Sequence, residues 1–549
     1  MAKHYKIHPA IGIARVGTSS EYFLGAELPG TYAKPADGHY RDASGRLRRQ
    51  AVRFRVFEYD DTNPATPPIE VTAGQGGVMA VQWTVHLANK KAIWHSFNGL
   101  TGEQTPYPPG DLRNSGITDA QERRKRLIID PGARTISGAN QNGEVNRNSS
   151  TNPANEKWPP TLNPSTSIDS LGTLATDQAG RLIVAGGFGK SGTTGTPQST
   201  LNFANNDGWF DDVSDGPVTA RVRFASGVEI EASGKAWVIV APPDYAPPIE
   251  NIVSIYDLLY DLALRKFGAD ASIFDAASQT WQAGFQPSFS RHIYAILHKA
   301  FDYRWVNQGA NTHSPAHFDW ALLGQAPQPG ETPATNPRAR IFNRLRNPND
   351  LDPTSTTRTM PKLKSDGTGG MVQESPTFAI TKTQYEFLRR WSNGQFLADW
   401  TGQPPSPETV ISPAGLDRAA LEAGCGGAFF PGMEASWNLR NTNLYVTPFE
   451  FRLRHAENEN DTAGVMEGDV TKRSALPWQA DFLQCADNWW PAQRPNQVRA
   501  SPTATGPVNW SQGIGNELDM VERWWKLGVV RPSSTPGSVA KFHQDERIL

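Results

Sequence analysis

The sequence predicts an α+β protein, with a β-rich first half and a largely irregular, helix-containing second half. Three observations carry that prediction. Strand-like alternation marks the chain before residue 250, helical periodicity marks it afterwards, and 49 glycines and 43 prolines supply turns throughout. The change of character near 250 divides the chain into residues 1–250, a β-rich domain, and 251–549, a catalytic domain of helices in long loops.

In the first half, Val52 to Tyr59 (VRFRVFEY) alternates apolar and polar residues and reads as a half-buried strand. Gly77 to Leu87, Arg181 to Phe188 and Val218 to Val222 read the same way. Lys235 to Ala241 (KAWVIVA) is a continuous apolar run, a buried strand ended by Pro242-Pro243. Residues 98–180 lack periodicity and are rich in Asn, Thr, Pro and Gly. They are expected to be long loop, with one helix over Asp119 to Arg126.

In the second half, Ile252 to Phe267 places Ile252, Ile255, Leu258, Leu259, Leu262 and Ala263 on one helical face. Ser290 to Phe301 is also helical. Thr381 to Asn393 begins with a Thr suited to cap a helix. Proline-rich connections occupy 314–337 and 402–413.

Composition excludes several classes. The chain has 53 basic and 55 acidic residues, a formal net charge of −2. It therefore carries no electrostatic footprint for nucleic acid or an anionic membrane. No apolar run reaches the length of a membrane span. The start, MAKHYKIHPAIGI, has no continuous apolar core and no small-residue cleavage site. The expectation is a cytoplasmic or non-classically exported protein. Two cysteines, Cys425 and Cys485, are too few for a disulfide scaffold or a thiolate-rich metal site.

Candidate metal and phosphate motifs fail on spacing, and no metal is expected. Asp207, Asp211, Asp212 and Asp215 do not fit a calcium loop and read as turn chemistry. His313 and His317 are separated by Ser-Pro-Ala, which denies them a common helical face. The run from Gly186 to Ser191 lacks the spacing of a phosphate loop. Cys485 reads as a small buried hydrophobe.

Chemistry concentrates between Leu416 and Arg499. Cys425 precedes Gly426-Gly427, where glycines permit close approach to the sulfur. His455 follows FRLR, with an intrinsic pKa suited to proton transfer near neutrality. Trp489 and Trp490 precede a proline. Read from these residues alone, Cys425 with His455 is also open to reading as a thiol nucleophile and its base, although no local signature of a cysteine hydrolase surrounds it.

Three stretches resemble the lysine ε-oxidase and glycine oxidase group of cysteine tryptophylquinone enzymes. They are IHPAIGIARVGTSSEYFLG (Ile7 to Gly25), NNDGWFDDVSDGPV (Asn205 to Val218), and CGGAFFPG with LPWQADF and WWPAQRP (Cys425 to Val498). The resemblance implies a quinone built from Cys425 and Trp490, with Trp489 as the fallback. It implies oxidative deamination of a primary amine or amino acid, dioxygen as acceptor, and hydrogen peroxide and ammonia as products. His455 becomes the candidate base or substrate-orienting group, and Trp209 or Phe210 candidate lining residues. A flavoprotein maturation partner and a homo-oligomer are also implied.

One position departs from the pattern. An acid used in building the cofactor is expected one helical turn before the cysteine, where this chain has Leu421. Glu422 and Asp417 are the nearest acids. The departure leaves a second reading: a non-enzymatic binding or interaction protein of the same fold, with unmodified Cys425.

Overall fold

A large sheet dominates the first half. The structure is a computed structural model that describes residues 3–96, 111–147, 156–159, 162, 168–307, 309–310, 318–332, 334–349, 357–361, 379–426, 439–454, 464–484 and 492–549. The sheet's strands are β1 (Lys3–His8), β2 (Ile11–Arg15), β3 (Tyr22–Leu24), β4 (Arg49–Asp60), β5 (Ile69–Val71), β6 (Val78–Val85), β7 (Arg134–Ser137), β8 (Asn142–Asn146), β9 (Ser170–Thr176) and β10 (Leu182–Gly186). After a separate small ladder, β11 (Ser191–Thr193) with β12 (Trp209–Asp211), it continues with β13 (Ser214–Phe224), β14 (Glu229–Glu231) and β15 (Ala236–Ala241). The main order is β7-β6-β13-β15-β2-β4-β10-β9-β8, with β1, β3 and β5 on β4 and β14 on β13.

β15 pairs in parallel with β2 at the centre of this order, Val238 opposite Gly12. Both strands are buried throughout, which is why KAWVIVA reads as an unbroken apolar run. Their alternating residues serve two cores. Ile11, Ile13, Trp237 and Ile239 face one apolar cluster, and Ala14, Val238 and Val240 face the other.

The α+β reading holds, with one correction. Residues 98–180 are not all loop, because β7, β8 and β9 come from them. β7 and β8 close the two ends of the sheet, and in β8 only Val145 is buried. A strand that buries one side chain gives almost no period-two signal.

The described helices that frame the site are α1 (Ala120–Leu127), α2 (Ile255–Phe267), α3 (Tyr294–Asp302), α4 (Trp320–Leu323), α5 (Pro337–Phe342), α6 (Lys382–Ser392) and α7 (Pro413–Glu422). α2 starts three residues later than its apolar pattern, because Ser254 caps it. The Ser254 side chain accepts the Asp257 N–H while the Asp257 carboxylate accepts the Ser254 N–H. Thr381 caps α6 in the same reciprocal way with Gln384. The predicted helix from Ser290 opens as a π-helical turn, Phe289–Ile293, before α3. No helix among the described residues is long and apolar enough to cross a membrane.

The smaller core cluster positions the site. Ile11, Ile13, Trp237 and Ile239 of the sheet pack with Ile255, Leu258 and Leu259 of α2, Leu421 of α7, and Tyr445, Phe451 and Val465. Each such buried side chain contributes roughly 1.5–3 kcal/mol. The cluster thus fixes α7, and Cys425 just beyond it, against the centre of the sheet.

Candidate active site

Cys425 is 3% exposed and sits where α7 has just ended. Its neighbours form a short antiparallel bridge to the cap of α2. Ile255 N–H donates to the Gly424 carbonyl, and Gly426 N–H to the Val253 carbonyl, both at 2.9 Å. Glycine is required here by space, since a Cβ on Gly426 would lie 2.0 Å from the Ser254 oxygen. Gly426 thus does what the sequence predicts of it, letting a second backbone touch the cysteine segment.

The Ala423 carbonyl, two residues before Cys425, accepts two hydrogen bonds. One comes from Arg15 Nη2 at 2.9 Å and one from Gln493 Nε2 at 2.9 Å. Gln493 belongs to the WWPAQRP motif and is fully buried. Its carbonyl accepts the Tyr245 N–H, also at 2.9 Å. Arg494 beside it is 1% exposed and donates to the carbonyls of Phe482 and Pro495. Asn496 N–H then donates to the Val306 carbonyl.

Tyr303 completes this wall. Its hydroxyl accepts the Ile252 N–H at 3.2 Å and donates to Asn251 Oδ1 at 3.3 Å. Burial, and then the neighbouring Cys425, hold its pKa well above the ordinary tyrosine value.

The acidic run after Asn205 divides: Asp207 is exposed and lies in a turn, as expected, whereas the turn reading is corrected to buried structure for the other three. Asp211, Asp212 and Asp215 are at most 1% exposed. Asp211 Oδ2 lies 2.7 Å from Lys91 Nζ, and the Trp478 N–H points to the same oxygen. Asp215 accepts from Trp237 Nε1, Val470 N, Thr471 N and Thr471 Oγ1. Asn206 Nδ2 donates to the Leu476 carbonyl. The middle motif is therefore the plate on which residues 470–478 of the third motif dock. Burial pushes the Asp212 carboxyl up to about 7 and that of Asp215 to about 6. Trp209 and Phe210 are buried in the larger core.

His455, Cys485, Trp489 and Trp490 lie outside the described residues, as do His313 and His317. The flanks of His455 are described. Arg454 N–H donates to the Val465 carbonyl at 2.9 Å, and the Arg454 guanidinium pairs with Asp469. Asp469 also meets Lys472 and Lys90, and these cations hold its carboxyl at about 2 despite burial. Arg454 and Val465, which flank residues 455–463 in the chain, are thereby joined, with Val465 in the smaller core cluster.

Neither acid near Cys425 is turned toward it. Asp417 accepts from His8 Nδ1 at 3.0 Å and from the Ala10 N–H at 2.6 Å. Glu422 accepts from Arg418 Nε at 2.7 Å and from the Gly30 N–H at 3.2 Å. Leu421 is fully buried in the apolar cluster. Sequence reasoning also missed a cluster at the far edge of the 464–472 segment. His86 Nε2 is 2.7 Å from Asp130 Oδ1, with Glu467 3.9 Å from Nδ1.

Comparison with known proteins agrees with this geometry. The family model described as L-lysine ε-oxidase N-terminal matches residues 8–240, and the L-lysine ε-oxidase C-terminal domain matches 361–511. L-Lysine 6-oxidase from Marinomonas mediterranea is 28% identical over 560 residues, spanning 91% of this chain and 73% of that protein. The solved ε-lysine oxidase from the same organism superposes with a TM-score of 0.84 at 25% identity, over 99% of this chain and 95% of that one. The Schiff base intermediate of L-Lys ε-oxidase with L-Lys gives 0.81 at 25% identity, over 99% and 95%.

Fold and relatives together define an oxidoreductase of the amino-acid oxidase class. More particularly, the chain belongs to the L-lysine ε-oxidase family.

Proposed function

We propose that this chain oxidatively deaminates a primary amine or amino acid through a quinone formed from Cys425 and Trp490, with Trp489 as the alternative indole. Dioxygen is the acceptor, and hydrogen peroxide and ammonia are the products. The supporting observation is the hydrogen bond from Gln493 to the Ala423 carbonyl. Three chain links of at most about 3.6 Å each separate Gln493 from position 490, a reach of ~11 Å. Gln493, three residues after position 490, is thus hydrogen-bonded two residues before Cys425.

The residues present fit such a group. The thiol is buried, Gly426 leaves no Cβ in the way, and Gln493 Oε1 is a buried acceptor without a hydrogen-bond partner among the described residues. The quinone supplies an electrophilic carbonyl and an electron sink for the amine's two electrons. The chain supplies position, exclusion of water and proton transfer. Arg15, Gln493 and Tyr245 fix the two cofactor segments to each other. His455 is the base or substrate-orienting group, carried on a segment whose ends Arg454 and Val465 hold.

The relatives are named for L-lysine, which makes it the first substrate to test. The chain is co-expressed with a flavoprotein maturation partner and weighed intact. The reading predicts two oxygens gained and four hydrogens lost, with amine-dependent oxygen uptake and peroxide release. An unmodified mass under those conditions, with no oxygen uptake on any primary amine, contradicts it.

A further inference from the structure

A cavity of about 220 Å³ opens between α3, α4 and α5. Its wall is apolar, with Leu297 from α3, Leu322 from α4, Ile341 from α5, and Phe318, Leu345 and Met360 from the adjoining chain. Backbone braces one side. Met360 N–H donates to the Arg344 carbonyl and Arg346 N–H to the Met360 carbonyl, both at 2.9 Å. An apolar cavity of ~150 Å³ accepts a molecule the size of benzene, so this one has room for a short hydrocarbon chain. It reaches solvent, because Leu322 in its lining is 44% exposed. None of its lining residues takes part in the contacts around Cys425 or Gln493.

Two arginines also line it, Arg340 in the last turn of α5 and Arg344 in the turn that follows. Both are exposed, and among the described residues neither side chain has a hydrogen-bond, ion-pair or ring partner. Their neighbours differ. Arg338, on the same helix, is 2% exposed, pairs with Glu331 and donates to the Gln325 carbonyl. Arg346 donates to the carbonyls of Thr359 and Pro361. Those two arginines hold the chain together, whereas Arg340 and Arg344 hold nothing. The acid in the lining, Asp319, is engaged in capping α4, where its Oδ1 accepts the Leu322 N–H at 3.1 Å.

This pairing of wall and rim selects an amphipathic anion. A hydrocarbon tail gains free energy by leaving water for the apolar wall. A guanidinium presents a planar fork of donors that matches a carboxylate. A neutral hydrocarbon would leave the arginines unused, and a small inorganic anion would leave the wall wet.

We propose that this cavity binds a medium-chain aliphatic carboxylate, its tail against Leu297, Leu322, Ile341 and Met360 and its head group on Arg340 and Arg344. The inference is independent of the quinone reading.

The test titrates octanoate into the full-length chain by calorimetry, with octan-1-ol as the uncharged counterpart. It uses wild type, the double variant Arg340→Gln/Arg344→Gln, and Leu322→Trp, which fills the cavity. Wild type is expected to bind octanoate saturably at a single site. Octan-1-ol on wild type, and octanoate on the double variant, are each expected to bind at least about tenfold more weakly, the scale of one charge-assisted hydrogen bond. L322W is expected to lose binding. All three positions are exposed, so the variants should melt with wild type. The comparison of the two ligands on wild type needs no variant and stands if one fails to fold. Absence of saturable octanoate binding by wild type overturns the inference, as does equal binding of octan-1-ol and octanoate. Undiminished octanoate binding by the folded double variant or by folded L322W overturns it too, since the ligand then sits elsewhere.

Discussion

Gln493 and Ala423 are 70 positions apart in the chain and 2.9 Å apart in space, the glutamine amide donating to the alanine carbonyl. Both residues are buried or nearly so, and the bond crosses between the two segments on which the proposed cofactor depends. Its removal is the simplest perturbation of the site. Gln493→Ala is predicted to cost about 0.5–1.5 kcal/mol, the net contribution of one hydrogen bond, because Arg15 still donates to the Ala423 carbonyl. It also lowers the fraction of chain that matures. Denaturant unfolding and intact mass measure the two effects, and a variant with wild-type values in both removes the bond's importance.

The Ser254–Cys425 bridge gives a second prediction. Gly426→Ala places a methyl 2.0 Å from the Ser254 oxygen, where nothing but backbone can yield. The loss is expected at the upper end of the 1–3 kcal/mol typical of overpacking, or above it. Urea titration decides it, and a change below about 0.5 kcal/mol, the scale of neutral surface substitutions, contradicts it.

Asp469 pairs with Arg454, the residue before His455. Asp469→Asn removes the carboxylate that Arg454, Lys472 and Lys90 share and is predicted to cost about 3–5 kcal/mol at pH 7. The folded pKa of Asp469, about 2, lies below the ordinary 3.8. Its contribution is therefore present above pH 3.8 and is lost as pH falls toward 2. The stability difference between wild type and variant should shrink steadily below about pH 4. A difference independent of pH means that packing, not charge, is responsible.

His86 has the opposite sign. Burial lowers its pKa, but the bond and charge of Asp130, with Glu467, outweigh that and raise it above 6.5. Its contribution is complete below pH 6.5 and disappears as pH rises through the raised folded value. Asp130 is lowered below 3.8, so its own share persists until pH falls below that. His86→Gln should therefore reduce the melting temperature more at pH 5.5 than at pH 9. A larger loss at pH 9 reverses the assignment.

Much of the fold was legible because its central strands obey simple rules. β4 alternates, β15 is an unbroken apolar run stopped by two prolines, α2 has an apolar helical face, and α6 begins at a capping threonine. The edge strands β7 and β8 were illegible, since a strand that buries one residue has no period to read. The buried aspartates after Asn205 were misread for a different reason. Asp, Gly and Asn mark turns by composition, and nothing local indicates that Lys91, Trp237 and Thr471 will arrive to satisfy them. The cysteine segment was legible through its glycines. The contact of Gln493 with Ala423 was not, because it joins segments 70 positions apart that nothing in either local sequence pairs.

The central claim is a covalent one, and electron density tests it most directly. In crystals of chain matured with its flavoprotein partner, the account predicts continuous density from the sulfur at 425 to the indole at 490, with two oxygens on the ring. Separate side chains at 425, 489 and 490, in a preparation that consumes oxygen with amine, would contradict it.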